Sequence, residues 1–343
     1  MRDIFSSLLG NSYLRETLAP DLAAGRAAHG YILSGPVGSG KKTAARLIAA
    51  ASVCENRLAA DMPLPCGTCP SCHRILHDLS ADVLWITHGD RASIGVEQIR
   101  QLREDLYVSP NDGERKFYVI DAAHTMTAQA QNALLLSLEE PPPFVTFLLL
   151  TEDPSSLLET IRSRAPVIHM ELFSPTAVRD WLRTQALPKA VLEDTERCDG
   201  AAVLSGGALG QALVLAAGED TAEVLQMRAL ALQLLEGVFR LRPSALLEEI
   251  LPEIPSNRVQ VCRLLTMLQS ALRDLIARKR QAAVDGQFLI GTEPVCSYAG
   301  RFSVARLLSL YDLCTTTLTR LDANGAISPC MTGFLLQAKH ICH

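Results

Sequence analysis

Tyr31-Ile32-Leu33-Ser34-Gly35-Pro36-Val37-Gly38-Ser39-Gly40-Lys41-Lys42-Thr43 passes from an apolar run through a glycine-rich turn into a helical pattern. The turn matches the G-x-x-x-x-G-K part of a Walker A loop, with a strand expected before it and a helix after it. Glycines permit backbone conformations that aim successive N–H groups inward. The helix that follows adds its positive end, and the Lys41 ammonium brings charge to the β- and γ-phosphates of a nucleotide. Gly35, Pro36, Val37, Gly38, Ser39, Gly40, Lys41, Lys42 and Thr43 are therefore the candidate nucleotide contacts, with ATP or ADP as the candidate ligand. The plain alternative is a glycine-rich turn that binds nothing. One position departs from the pattern: the residue after the loop lysine should be Ser or Thr, whose hydroxyl ligates Mg²⁺, and here it is Lys42. Thr43 lies one helical step, about 100°, further round and is a poor substitute. The loop reads as one that binds nucleotide without efficient magnesium-dependent hydrolysis.

Working outward, the first half of the chain alternates short apolar runs with amphipathic stretches, the pattern of a parallel sheet covered by helices. Strands are expected at 31–33, 83–86, 117–120, 144–150 and 167–170, and helices at 42–53, 96–106 and 128–139. Thr127 is the expected N-cap of the last helix and Pro141-Pro142-Pro143 its stop. From Ser174 onward the strand signals vanish and the pattern is helical, punctuated by Pro175, Gly206-Gly207 and Pro243. The expected fold class is α/β plus all-α, with domains at 1–173, 174–225 and 226–343.

The strand Phe117-Tyr118-Val119-Ile120 ends in Asp121, the form of a Walker B motif, whose carboxylate supports a nucleotide-bound metal or else caps a turn. Hydrolysing proteins of this kind follow it with a Glu that polarises the attacking water. Here the next residue is Ala122, whose methyl group accepts no proton. The strand ending at Leu150 is followed by Thr151, which either senses a γ-phosphate or caps the strand. Beyond it, Thr160-Ile161-Arg162-Ser163-Arg164-Ala165-Pro166 carries arginines suited to stabilising charge on a transferring phosphoryl group, or simply to the surface.

Between the loop helix and the second strand lie Cys54 and Cys66-Gly67-Thr68-Cys69-Pro70-Ser71-Cys72, an insertion spanning 54–72. Cys54, Cys66, Cys69 and Cys72 offer four thiolates, the set a structural Zn²⁺ takes, leaving no position open for catalysis. A haem-attachment reading of Cys69-Pro70-Ser71-Cys72-His73 leaves Cys54 and Cys66 unexplained and requires export. The remaining cysteines of the ten are scattered and read as small apolar side chains.

Composition narrows the classes further. The chain has 343 residues, 48% of them apolar, which excludes a wholly disordered protein. With 32 Lys+Arg against 37 Asp+Glu, the net charge is −5, so there is no overall basic excess for holding DNA alone. Apolar runs fall short of a membrane span and the N-terminus lacks signal-peptide features, so the protein is expected to be soluble, cytoplasmic and without a membrane partner.

The run Asp121-Ala122-Ala123-His124, the segment from Gln131-Asn132-Ala133-Leu134-Leu135 to Leu138-Glu139-Glu140-Pro141-Pro142, and Ile161-Arg162-Ser163-Arg164 together resemble bacterial clamp-loader subunits of DNA polymerase III, the delta prime type most of all. The four-cysteine insertion is also typical of that family. The likeness is strong over about residues 1–215 and weak beyond, where Asn324 and the helix after it loosely match the end of the family's collar. It implies a RecA-like AAA+ domain, a small helical lid and a helical collar that oligomerises. It implies that Arg164 reaches the ATP of an adjacent motor subunit, and that Ala165 replaces the family's usual Cys. In Ser205-Gly206-Gly207-Ala208-Leu209-Gly210-Gln211, Gly210 stands where motor subunits place an Arg. The implied partners are gamma/tau and delta subunits in a hetero-pentamer, the sliding clamp, and primed DNA through the assembly. The implied role is a stator without ATP turnover of its own; the alternative is a catalytically active gamma/tau-type ATPase.

Overall fold

The computed structural model describes residues 5, 8–59, 61–89, 91–111, 114–218, 221–280, 300–323 and 325–342. Asn324, one of the residues carrying the collar likeness, lies outside them. The chain divides into two compact units, Met1–Leu172 and Phe173–His343.

The first unit runs α1 (Ala19–Ala23), β1 (Gly30–Ser34), α2 (Lys41–Ser52), α3 (Pro70–Leu76), β2 (Val83–Ile86), α4 (Val96–Asp105), β3 (Lys116–Ile120), α5 (Ala128–Glu139), β4 (Val145–Thr151), α6 (Glu159–Arg162) and β5 (Val167–His169). The strands form one parallel sheet in the order β2-β3-β4-β1-β5. The sequence places all five. The three central strands β1, β3 and β4 are buried along their whole length, while β2 and β5 at the edges are partly exposed. That is why the central strands read as unbroken apolar runs rather than alternating ones. Burial on two faces still sorts residues by parity. Tyr31, Leu33, Phe117, Val119, Leu148 and Leu150 join a core with α2, α3 and the N-terminal segment. Ile32, Tyr118, Ile120, Phe147 and Leu149 face the opposite way, into the core with α4 and α5.

Boundaries differ from the sequence reading by a residue or so. Helix α2 begins at Lys41, because Gly40 (φ +91°) takes the left-handed turn that launches it. Strand β4 takes in Thr151, since its partner Ser34 in β1 extends that far. Thr127 caps α5 as expected, its hydroxyl accepting from Ala130 N.

The first unit has one buried cation of note. Lys116, 2% exposed at the start of β3, places its ammonium 2.7 Å from an Asp105 carboxylate oxygen, and Tyr118 Oη donates to the same oxygen at 2.9 Å. This ties the end of α4 to the sheet.

The second unit contains helices and no strand among its described residues. Helices α7 (Pro175–Leu182), α8 (Lys189–Glu193), α9 (Thr195–Leu204) and α10 (Leu209–Ala217) enclose a small core of Val178, Leu182, Val191, Ala201, Ala202, Ala212 and Ala216. Helices α11 (Thr221–Arg240), α12 (Pro243–Ala245), α13 (Arg258–Lys279), α14 (Val304–Asp322) and α15 (Ile327–Cys342) build a larger one, in which Leu264, Leu265, Leu307 and Leu335 are wholly buried. No helix among the described residues is long and apolar enough to cross a membrane.

Candidate functional site

The strand order sets three C-terminal tips side by side. β1 ends in the glycine-rich loop, β4 beside it ends in Thr151, and β3 beyond that ends just before Asp121. In open α/β sheets such an edge is where ligands bind.

Within the loop, Gly38 (φ +77°) and Gly40 (φ +91°) occupy the left-handed region that turns N–H groups inward. Gly35 is required for space: a Cβ there would meet Ser39 Oγ at 2.6 Å and Met170 Cβ at 3.0 Å. Ser39 is 6% exposed, and its buried hydroxyl has no hydrogen-bond partner among the described residues. An unpaired buried hydroxyl is costly, at about 1–3 kcal/mol, unless something else supplies its partner. A phosphate oxygen in the loop would do so, and the cradle therefore fits a nucleotide. Lys41 Nζ donates to Gly35 O and to Pro36 O (2.8 Å), so the charge already sits at the loop mouth. Burial lowers the Lys41 pKa, opposed by the nearby carboxylates of Glu152 and Asp121. Glu152 is a neighbour the sequence pattern did not single out.

The loop has an apolar support. Leu8 and Met170, each 6% exposed, pack beside Gly40, 3.6 and 3.7 Å from where its Cβ would be. Glu171 holds the N-terminal segment there, its carboxylate accepting from Asn11 N (2.6 Å), Ser12 N (2.8 Å) and Ser12 Oγ (2.8 Å).

The metal half of the site has a different chemistry. Lys42 Nζ lies 2.8 Å from Asp121 Oδ2, in an ion pair whose side chains are 57% and 21% exposed. The strand-end carboxylate thus faces an ammonium, and Thr43 is exposed on the next position of α2. These residues do not fit Mg²⁺: the hydroxyl ligand is missing and the carboxylate already has a cation. Ala122 sits in the left-handed region (φ 54°, ψ 47°), with no proton acceptor in its side chain. Thr151 is fully buried and its hydroxyl donates to Asp153 O at 2.9 Å.

Helix α5 positions the arginine segment. Gln131, 6% exposed, donates through Nε2 to Met126 O (3.3 Å) and Ser156 O (3.2 Å), while its Oε1 accepts from Leu158 N (2.8 Å). Leu158 is the N-cap of α6, so one side chain fixes where that helix starts. Arg164 follows α6 on the surface, its guanidinium 2.8 Å from Glu139 Oε1 and 3.0 Å from Thr160 O. Glu139, at the end of α5, holds it on the protein without covering it: the two side chains remain 36% and 45% exposed. Ala165 is 1% exposed and packs against Gly30. Gly210 is in α10, in the second unit.

The four cysteines of the insertion come together as expected. All are buried, and their sulfurs lie within 4.8 Å of one another. Sulfurs about 2.3 Å from one tetrahedral zinc stand about 3.8 Å apart; Cys66 Sγ and Cys72 Sγ are 4.0 Å apart. Cys69 N donates to Cys66 Sγ (3.3 Å) and Cys72 N to Cys69 Sγ (3.4 Å), as Gly67 (φ +71°) and Pro70 turn the chain around the cluster. Burial alone would raise the Cys66 pKa, but donation from Asn56, Cys69 N–H and Thr68 outweighs it and brings the thiol down to about 5. Burial pushes the Cys54 and Cys72 thiols up. The group forms a four-thiol site able to hold one metal ion. His73, exposed and packed against His77 with ring centroids 4.4 Å apart and the rings tilted by 43°, is not one of the four clustered ligands.

A family profile described as "DNA polymerase III, delta subunit" matches residues 10–174. The chain is 36% identical over 178 residues to DNA polymerase III subunit tau of Escherichia coli (strain K12), covering 52% of this chain and 27% of that one. It is 32% identical over 211 residues to subunit gamma of Buchnera aphidicola subsp. Acyrthosiphon pisum, covering 62% of this chain and 57% of that one. Over this region the chain is similar to subunits of DNA polymerase III. The chain spans from about a quarter to just over half the length of these two relatives. Among solved structures, a gamma subunit-related protein from Thermotoga maritima aligns over 96% of this chain and 99% of its own, at 18% identity and a TM-score of 0.41. The matched region, residues 10–174, carries the phosphate loop, the Lys42–Asp121 pair, the cysteine cluster and Arg164.

Proposed function

We propose that this chain is a delta prime-like stator of the DNA polymerase III clamp loader: it grips a nucleotide, does not hydrolyse it, and lends Arg164 to the ATP site of a neighbouring gamma/tau subunit. The observation that carries this reading is the Lys42–Asp121 ion pair beside Ala122. It fills the metal position with an ammonium and leaves the water position with a methyl group. Gly210 in place of a lid arginine points the same way. In this reading residues 1–173, 174–225 and 226–343 are nucleotide domain, lid and collar. The cysteine cluster holds a structural Zn²⁺, and the cytoplasmic partners are gamma/tau and delta subunits, the sliding clamp and, through the assembly, primed DNA.

The exposed guanidinium of Arg164, anchored by Glu139, suits action in trans: an arginine offered across an interface supplies charge to a phosphoryl group held by another chain. The second reading, a gamma/tau-type motor, is favoured by the names of the matched relatives and by the intact Lys41. The test is Arg164→Ala in a clamp loader reconstituted with gamma/tau and delta. Nucleotide binding by this chain is expected to be unchanged while ATP turnover of the complex falls. Unchanged turnover of the complex contradicts the stator reading.

A further inference from the structure

We infer that Lys42 is a built-in counterion that makes nucleotide binding by this chain independent of magnesium. The inference rests on the reading of residues 35–43 as a nucleotide cradle and adds which ionic form of the nucleotide the cradle takes.

In a complete Walker site the hydroxyl after the loop lysine and the strand-end aspartate hold Mg²⁺, which in turn screens the β- and γ-phosphates. This chain changes both halves of that arrangement at once. The hydroxyl is replaced by an ammonium, and the ammonium binds the Asp121 carboxylate at 2.8 Å. A magnesium ion entering here would have to break that pair, and would then stand beside a like charge. Lys42 offers it no lone pair while it carries its proton. Thr43 does not restore the ligand, because it is turned to solvent one step further round the helix.

The same exchange lets a bare polyphosphate approach, because Lys42 cancels the Asp121 carboxylate that would otherwise repel it. Lys41 lies at the loop mouth, bonded among the described residues to the carbonyls of Gly35 and Pro36, which a phosphate oxygen can replace as its partners. Lys42 projects from the first turn of α2, whose free N–H groups add their own partial charge. The buried Ser39 hydroxyl waits for an acceptor or donor inside the loop. With the Asp121 carboxylate neutralised by Lys42 in place of a metal, the Lys41 ammonium and the helix terminus face the negative charge of metal-free ATP or ADP. Complexing the nucleotide with magnesium removes part of that charge and brings a cation for which the protein has no ligand.

The experiment is a calorimetric titration of the full-length chain with ADP and with ATP, in excess EDTA and in excess magnesium chloride. Lys42→Thr, Lys42→Ala and Lys41→Ala are run alongside. Wild type is expected to bind as tightly or more tightly in EDTA. Lys42→Thr rebuilds the hydroxyl ligand and frees Asp121, so its affinity is expected to rise about tenfold or more on adding magnesium, about 1.4 kcal/mol. Lys42→Ala is expected to bind more weakly in EDTA than wild type. Wild-type binding that needs magnesium, or tightens tenfold with it, overturns the inference and leaves the cradle reading standing. A Lys42→Thr chain as indifferent to magnesium as wild type also overturns the assignment to Lys42. Absence of binding in both buffers, or binding undiminished by Lys41→Ala, overturns the cradle reading and the inference with it.

Discussion

Replacing Gln131 by Ala removes a side chain with three hydrogen bonds, two of which join α5 to the segment that starts α6 while the third holds Met126 O ahead of α5. The site is 6% exposed, so water does not readily take over the Leu158 N–H or the carbonyls of Met126 and Ser156. At about 1 kcal/mol net per bond the loss is about 3 kcal/mol, with the stem methylenes adding some fraction of ~0.8 kcal/mol each. For a unit of this size, each kcal/mol lowers Tm by about 2–4 °C, giving roughly 6–12 °C. Gln131→Glu should be no milder. It keeps the acceptor for Leu158 N–H but turns a carboxylate oxygen toward two carbonyls. The assay is thermal unfolding followed by circular dichroism, paired with hydrogen exchange at Leu158 and Ile161. Exchange at Leu158 is expected to accelerate in both variants, and the reconstituted complex should lose part of the turnover that depends on Arg164. A Tm within about 2 °C of wild type, with unchanged exchange at Leu158, refutes the reasoning.

Other expectations follow from single sites. Ala122 holds a left-handed conformation that glycine adopts without strain, so Ala122→Gly should stabilise the chain by about 0.5–1 kcal/mol; urea unfolding that shows a loss contradicts the strain. Metal analysis should find one zinc per chain. Chelation, or Cys66→Ser, should open residues 54–72 to protease, and chain purified without metal yet equally protected there contradicts the four-thiol site. Burial alone would raise the Glu171 pKa, but the donors on Ser12 and Asn11 outweigh it and hold it below the usual 4.5. Its contribution is therefore complete above that value and lost as pH falls through the lowered one. The N-terminal segment should loosen only under that acid condition in wild type and at neutral pH in Glu171→Gln. Limited proteolysis that is indifferent to both changes removes the anchor.

Much of the first unit was legible in the sequence because its physics is local. Buried parallel strands are apolar runs, Gly40 and Thr127 start helices by rules that need no neighbour, and four closely spaced cysteines announce a ligand set. What could not be read were contacts set by the strand order. Nothing in the spacing of Lys42 and Asp121 says that they meet; it follows from β3 lying one strand away from β1, with β4 between. Glu139 with Arg164, Gln131 with Leu158, and Glu171 with Asn11 and Ser12 are likewise pairings across chain turns. A polar residue on an apolar helix face, such as Gln131, was the available signal. In the second unit amphipathic patterning marked helices but not which ones share a core, because apolar stripes on helices are interchangeable until they are packed.

The central claim is that the chain retains a phosphate cradle whose cleavage chemistry has been dismantled. The most direct measurement is steady-state ATP turnover by the purified full-length chain in excess magnesium, with Lys41→Ala as the blank. Equal, background phosphate release is expected from both proteins. Turnover on the order of 1 s⁻¹ in wild type, abolished by Lys41→Ala, would contradict it.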